Sequence, residues 1–384
     1  MRRGGLSFEW VIGSCRLLGQ IREEFERTRP FAGLRIGTGI HLEPKTVALL
    51  VTLAAGGAEV VSTGNLNTTQ QEALDYLAAH GVRPVGAPTS DPDEHDRYLR
   101  EVLAAEPQLL LDNGGDLFVR WLEQPYGGLI GGTEETTSGR MRLEPLRDRI
   151  RLPVLVINDS PIKQFAENKH AVGQSTVESL LRITNRSTNG KRVIVFGYGS
   201  VGRGVAAHFR NAFAEVSVVE VDPVTRLEAL LDGFAVPAKP EALANADVVI
   251  TATGARDVLL ASDLPHLADG AVLMNVGHFP AEIDVAAIRA EATAEEQPGD
   301  GITTLVLGDG RRIHVLTGGH MVNLAGPRPL GNSIESMDLG FALQARCLEA
   351  VATGAVGPAD CVVPVPRSVD EAVASAYVTL AAPR

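Results

Sequence analysis

Cysteine is almost missing from this chain. Its 384 residues include three, Cys15, Cys347 and Cys361, far apart and without a C-x-x-C pair. That excludes a disulfide framework and leaves no thiolate cluster for zinc, so no metal site is expected. Basic charge is in deficit, with 35 Lys and Arg against 47 Asp and Glu. A net charge of -12 argues against broad nucleic-acid or anionic-membrane binding, though a small anionic ligand in a local site remains compatible. No apolar run is long enough to cross a bilayer. The start, "MRRGGLSFEW", has two arginines but no apolar segment behind them, so no signal peptide is expected and the cytoplasm is the expected compartment. Aromatic residues are few, at 5%.

Glycine is plentiful, with 40 residues, which suits α/β folds and their many tight strand–helix turns. The length exceeds what one core usually organises, so two domains are expected. There are no internal repeats. In the N-terminal half, "LRIGTGI" (34–40), "AEVVSTG" (58–64), "VRPVGA" (82–87), "PQLLLD" (107–112) and "LPVLVIN" (152–158) read as strands. Between them, "PKTVALLVTLAAGG" (44–57), "TQQEALDYLAAHG" (69–81) and "DEHDRYLREVLAA" (93–105) read as helices. A second series starts near Thr184, with strands in "KRVIVF", "AEVSVVEVDP", "ADVVITATG", "GAVLMNVGH", "TTLVLGD" and "RRIHVLTGG". "EEQPGDG" (295–301) reads as a surface loop, and "SIESMDLGFALQARCLEAV" (333–351) as a last helix returning to the first domain. The fold class is therefore α/β: two Rossmann-like, doubly wound parallel-sheet domains with a cleft between them. The expected bounds are 1–172 with 332–384 for a discontinuous first domain and 173–331 for the second.

"VIVFGYGSVGRG" carries G-x-G-x-x-G at Gly197, Gly199 and Gly202. The first glycine permits the tight turn, the second lets a pyrophosphate approach, and the third lets helix and strand pack closely. Glu220 ends the next strand, where a carboxylate binds the adenosine ribose of NAD and repels the extra phosphate of NADP. NAD is the expected cofactor.

Ligands in such sheets gather at the carboxyl ends of strands. That rule selects His41 after the first strand and the acidic end of "LLLDNGGDLFVRW" (109–121). It also selects "TATG" (251–254) and "NVGH" (275–278). "GGTEETTSGR" (131–140) has the glycines, hydroxyls and acids of a ligand loop, and "NDSPIKQFAENKH" sets Lys163 and Glu167 on one helix face. Each has a structural reading when taken alone: a strand-end histidine, a capping box at Glu134–Thr137, a solvated ion pair. Together, beside an NAD fingerprint, they describe one site.

"HLEPKTVALLVTLAAGGAEV", "NLNTTQ", "LDNGGDL", "GGTEETTSG", "VINDSPIK", "GQSTVESL" and "GYGSVGRGVA" occur in that order, followed by "VVEVDPVTRLEALLDGF", "NVGHFPAEID" and "GRRIHVLTGGHMVNLAG". Over nearly its whole length the chain resembles S-adenosylhomocysteine hydrolase, with Glu43 and Lys45 more like the shorter archaeal and thermophile branch. The resemblance implies oxidation of a nucleoside 3′-hydroxyl by NAD, acidification of the C4′ hydrogen, loss of the 5′ substituent, and a final reduction that restores the cofactor. It implies Lys163 as the base assisting oxidation, with Glu135 and Glu167 on the ribose hydroxyls. It implies His278 near the 3′-oxygen and His41 at the 5′ leaving group, with Glu43, Asp112 and Asn332 among the substrate contacts. Thr136, Thr137, Ser138, Asn168 and Asn323 would line the nicotinamide end of NAD, with Thr253, Gly254 and Asn275 at strand ends beside it. The family is oligomeric, so a homo-oligomer is expected, with a small-molecule nucleoside as substrate.

The departures fall on the chemistry. The family's second aspartate before the glycine pair is Asn113, and an amide neither takes up nor releases a proton. The ribose-binding aspartate is Glu167, the threonine before the lysine is Ile162, and the family's "GHP" histidine is Asn332 after "PRPLG". The family's lysine- and tyrosine-bearing tail, which reaches a neighbouring protomer, is not found after "SAYVTLAAPR". The oxidising half is kept and the 5′ end altered. That pattern points to a nucleoside lyase, with a 5′-dehydratase of nucleoside-antibiotic biosynthesis of the angustmycin type as its concrete form. The alternatives are an ordinary S-adenosylhomocysteine hydrolase and a non-catalytic NAD-binding regulator.

Overall fold

The computed structural model describes residues 7–277 and 280–382. The chain divides into two compact units, Met1–Ala166 with Ile334–Arg384, and Glu167–Ser333. The breaks fall at 166/167 and 333/334, not at 172/173 and 331/332. No loop marks the first break, because Lys163–Ala171 and Val172–Thr184 run on as helix.

The first unit holds strands β1 (Arg35–Gly39), β2 (Glu59–Thr63), β3 (Val82–Pro84), β4 (Leu109–Asp112), β5 (Gly131–Glu134) and β6 (Val154–Val156). The second holds β7 (Arg192–Phe196), β8 (Glu215–Val219), β9 (Val248–Thr251), β10 (Val272–Asn275), β11 (Ala292–Gly299), β12 (Ile302–Leu307) and β13 (Arg312–Leu316). β14 (Cys361–Pro364) returns to the first unit. Among the described residues, each unit has one seven-stranded sheet, ordered β14-β6-β5-β4-β1-β2-β3 and β11-β12-β13-β10-β9-β7-β8.

Every pairing in the first sheet is parallel. A parallel strand is covered on both faces, which is why β4 reads as an unbroken apolar run, with Leu109, Leu110 and Leu111 all fully buried. Burying each leucine contributes about 1.5–3 kcal/mol. The register levels the carboxyl ends: Gly39 pairs with Thr63 and with Asp112, and Asp112 with Glu134. The residues just past β1, β2, β4 and β5 therefore emerge along one rim. The return helix Ile334–Ala352 is fastened to this unit by Asp338, whose carboxylate accepts the backbone N–H groups of Leu17 and Leu18 at 2.8 Å each. Those donors lie in the first turn of helix Arg16–Thr28, where a helix has no partners of its own.

The second sheet is parallel from β8 to β13 and antiparallel from β13 to β11. "EEQPGDG" is thus largely strand: β11 covers Ala292–Gly299 and pairs with β12. Its polar composition concealed it because it is an exposed edge, where charges and Pro298 discourage further pairing. β5 was concealed for the opposite reason, since its "GGTE" lacks the β-branched signature and survives on burial alone.

Candidate active site

The stretch after β4 is first of all a scaffold. Asp112 is fully buried and accepts from the N–H groups of Asn113, Leu117 and Phe118 at 2.9–3.0 Å. The last two belong to the first turn of helix Asp116–Glu123, which Asp112 caps. Glu134, also fully buried, accepts from Gly114, Gly115 and Thr136 backbone N–H groups and from the Thr136 hydroxyl. Gly114 and Gly115 have φ of 97° and 71°, a left-handed pair that a side chain would strain. Burial, reinforced by neighbouring carboxylates (Asp116 for the first, Asp112 for the second), pushes Asp112 up to about 7 and Glu134 up to about 8. Asp116 pairs with Arg120 and Arg142 at 3.0 and 2.7 Å. The substrate contact implied for Asp112 is corrected: its oxygens face backbone donors.

Asn113 is the residue of this stretch that turns toward Glu135. It is buried, and its Nδ2 donates to Glu135 Oε2 at 2.8 Å. Its Oδ1 accepts from Asn65 Nδ2 at 3.0 Å. Glu135 Oε1 accepts from Lys163 Nζ at 3.1 Å, with both side chains buried. A chain of contacts, Asn65–Asn113–Glu135–Lys163, therefore links the rims after β2, β4 and β5 to the segment after β6. Burial alone would raise Glu135, but the Lys163 charge, the Asn113 hydrogen bond and the nearby His41 outweigh it and hold its carboxyl below the usual range. His41, half-buried, has Nδ1 2.6 Å from Thr68 Oγ1. That hydroxyl donates to the Asn65 carbonyl, so it accepts from the ring, which puts a proton on Nδ1 and leaves Nε2 as the exchanging nitrogen. Glu43 and Lys45 form a second buried ion pair at 2.6 Å.

Lys163–Ala171 winds as a π-helix. Such segments are rare and frequent at functional sites. It carries Lys163, Glu167 and Asn168, with Glu167 buried and Asn168 half-buried. With i→i+5 bonding, the shared helix face expected for Lys163 and Glu167 no longer follows from their spacing, and Lys163 pairs with the Glu135 carboxylate. Thr136 caps helix Thr137–Leu143 by accepting from Gly139 N–H; Ser138 lies 3.1 Å from its hydroxyl, and Thr137 is exposed.

In the second unit the glycine turn follows β7. Gly197 has φ of 90°, and a Cβ there would meet the Ala252 carbonyl at 2.8 Å; a Cβ on Gly202 would meet the Gly197 carbonyl at 2.0 Å. Around Gly199 nothing lies within 4 Å, so space is open beside the N-terminus of helix Ser200–Asn211. That is the place for a pyrophosphate. Glu220 accepts from Tyr198, Val221 and Asp222 N–H groups at 2.7–2.9 Å, which holds its carboxylate beside the glycine turn with acceptor capacity left for ribose hydroxyls. Thr253 and Gly254 turn their donors inward: both give their N–H, and Thr253 its hydroxyl, to Glu282. Asn275 is fully buried and binds Thr251, Gly277 and Gly319, so its side chain organises strand ends and does not face outward. Asn323 is buried, and Asn332 accepts from Ser175 at 3.2 Å. His278 lies outside the described residues. These residues fit NAD.

Asn65, Ser175 and Glu282 do not stand out in the sequence, and Glu134 does so only as part of a capping box. The strand-end rule that selects His41 applies equally to Asn65 after β2. Glu282 carries no such signal, being a lone acid in "HFPAEID".

The family model for S-adenosyl-L-homocysteine hydrolase matches residues 15–124, and that for its NAD-binding domain residues 168–328. An adenosylhomocysteinase of Thermotoga maritima is 40% identical over 90% of this chain and 86% of its own length. An S-inosyl-L-homocysteine hydrolase of Methanopyrus kandleri is 38% identical over 97% and 89%. A dipicolinate synthase chain from Bacillus halodurans shares the fold, at TM-score 0.51 and 14% identity over 84% of this chain and 99% of its own. Among the described residues no helix is long and apolar enough to cross a membrane, and no cluster suits a metal ion. With both family models matched, near-full-length relatives at this identity and an NAD-fitted glycine turn, the chain belongs to the S-adenosyl-L-homocysteine hydrolase family and binds NAD.

Proposed function

We propose that this chain is an NAD-dependent nucleoside lyase that eliminates water from a 5′-hydroxyl, a nucleoside 5′-dehydratase. The observation that carries the reading is Asn113, an amide held between the Asn65 donor and the Glu135 carboxylate, where the family resemblance implies an acid. NAD, when bound, supplies reversible oxidation of a ribose 3′-hydroxyl to a ketone, which acidifies C4′–H. Lys163, seated on Glu135, exchanges the 3′-oxygen proton. The C4′ proton and the C5′ hydroxyl then leave as one water, a 4′,5′ double bond forms, and the 3′-hydroxyl is restored, so the cofactor ends as it began. Hydroxide is a poor leaving group and needs an acid; His41, with its exchanging nitrogen at Nε2, is that acid. Addition of water to C5′ is the reverse of this elimination and passes through the same His41, so an amide at position 113 withholds an assisting acid–base group from both directions.

Hydrolysis of an S-nucleosyl-homocysteine is the second reading, favoured by the identity to relatives named as such hydrolases. The two separate in one assay. The full chain is incubated with adenosine-type nucleosides bearing a free 5′-hydroxyl, and in parallel with S-adenosylhomocysteine and S-inosylhomocysteine. A product lighter by one water, with no free thiol released from the thioethers, supports the dehydratase. Rapid thiol release with no dehydrated product overturns it in favour of the hydrolase. Absence of reduced-cofactor absorbance with every nucleoside would leave only a regulator.

A further inference from the structure

Asn323 presents an anomaly. It is 1% exposed, and among the described residues its Oδ1 has no hydrogen-bond partner. Leaving a buried acceptor unmade is costly, so the atom is poised for a donor that arrives with a ligand. Its place tells which one. The residue follows Val322, whose N–H bonds the Asn275 carbonyl at the end of β10. Glu220 and the glycine turn lie at the ends of β8 and β7, on the other flank of β9. A dinucleotide laid across these strand ends with its adenosine ribose on Glu220 brings its nicotinamide half toward β10. The amide donor on that half is the carboxamide NH2.

An amide can point either way, and its neighbours decide. Asn323 Nδ2 lies 3.2 Å from Ser175 Oγ and 3.5 Å from Asn332 Oδ1. Ser175 Oγ in turn is 3.2 Å from Asn332 Oδ1. Flipping Asn323 would set its oxygen against the Asn332 oxygen, acceptor against acceptor. We infer that Asn332 is a positioning residue of the cofactor site: with Ser175 it fixes the Asn323 amide so that a carbonyl oxygen, and not an NH2, faces the nicotinamide carboxamide. This rests on the reading of unit Glu167–Ser333 as the NAD site. It moves Asn332 away from the substrate contact that the sequence suggested.

The test compares NAD with its 3-acetylpyridine analogue, which keeps the carbonyl and lacks the NH2. Calorimetric dissociation constants are measured on the full-length chain, the Asn332→Leu variant and the Asn332→Asp variant. The original chain binds the analogue about tenfold more weakly than NAD, because Asn323 stays unpaired. Asn332→Leu frees the amide to flip, and the gap closes to within about twofold. Asn332→Asp keeps an acceptor in place and keeps the gap. Equal affinities in the original chain would overturn the orientation of Asn323, and an unchanged gap in Asn332→Leu would overturn the role of Asn332. Failure of NAD itself to bind would instead strike the cofactor reading, which the same titration reports separately.

Discussion

Replacing Asn113 by aspartate is the sharpest perturbation of the proposed chemistry. The substitution is nearly isosteric, and Asn65 can still donate to an oxygen at this position. What changes is the 2.8 Å contact with Glu135. A charge-assisted hydrogen bond worth about 1.5–3 kcal/mol is lost. Two carboxylates then face each other; at ~3.5 Å and an effective dielectric of about 20 their repulsion is about 5 kcal/mol. Lys163 on the far oxygen offsets part of this, and the pair relieves the rest by sharing one proton. At about 1.4 kcal/mol per unit, a net 3–4 kcal/mol moves the proton affinity of the pair up by roughly two to three units. Glu135 is held low in the original chain, so the pair in the variant takes up its shared proton at higher pH than Glu135 does.

Two measurements follow this proton. The pH profile of reduced-cofactor formation after nucleoside addition gains an acid limb about two units higher, while its plateau stays within about threefold of the original chain. Solvent oxygen, traced with labelled water, enters C5′ of the recovered substrate several-fold more in the variant, because a second acid–base group then assists His41. An unchanged profile with unchanged labelling would show that position 113 has no part in the 5′ chemistry. Loss of NAD binding would show it to be structural.

The remaining predictions are simpler. Lys163→Ala abolishes reduced-cofactor formation on substrate addition while the dissociation constant for NAD stays within about threefold; oxidation at the original rate would remove Lys163 from its role. Glu220→Ala weakens NAD by about tenfold and narrows its preference over NADP by at least as much, read by parallel titrations. Asp112 and Glu134 are raised in the fold, so their contribution to stability is present at low pH and lost as pH rises from about 4 through about 7 and 8. In Glu134→Gln, thermal unfolding between pH 5 and pH 8 therefore has a shallower pH slope than in the original chain, even though the variant is less stable throughout. An equal slope would show that Glu134 is not raised in the fold.

The fold was legible because its parallel strands are written as apolar runs and its turns as glycines. "VIVFGYGSVG" spelled out strand, turn and helix in the order the structure has them. The misses have physical causes. β11 is an exposed edge whose side chains obey solvent, and β5 is two glycines, a threonine and a glutamate held by its neighbours. The π-helix at Lys163–Ala171 has no sequence mark that separates it from an α-helix, so the spacing of Lys163 and Glu167 suggested a shared face that the backbone does not guarantee. Candidate site residues were legible where the sequence set them at a strand end, as with His41. They were illegible where a distant acid holds a loop from beneath, as Glu134 holds Gly114 and Gly115, and Glu282 holds Thr253 and Gly254.

The acidic end of β4 shows how composition alone misplaces chemistry. Two of its charges belong to the frame: Asp112 caps a helix, and Asp116 joins Arg120 and Arg142. Removing either would damage the loop first and the reaction second. The one position left for chemistry is the one without a charge. With an amide there, the buried Lys163 ammonium faces the Glu135 carboxylate and position 113 adds no charge. With an acid there, the same pocket would hold an extra negative charge or a shared proton. That proton would assist transfer at C4′ and C5′ in both directions, so under the proposed reaction its absence leaves the 5′ chemistry to His41. The frame serves both readings equally, so it carries no information about which is right; the amide at position 113 is what bears on the choice.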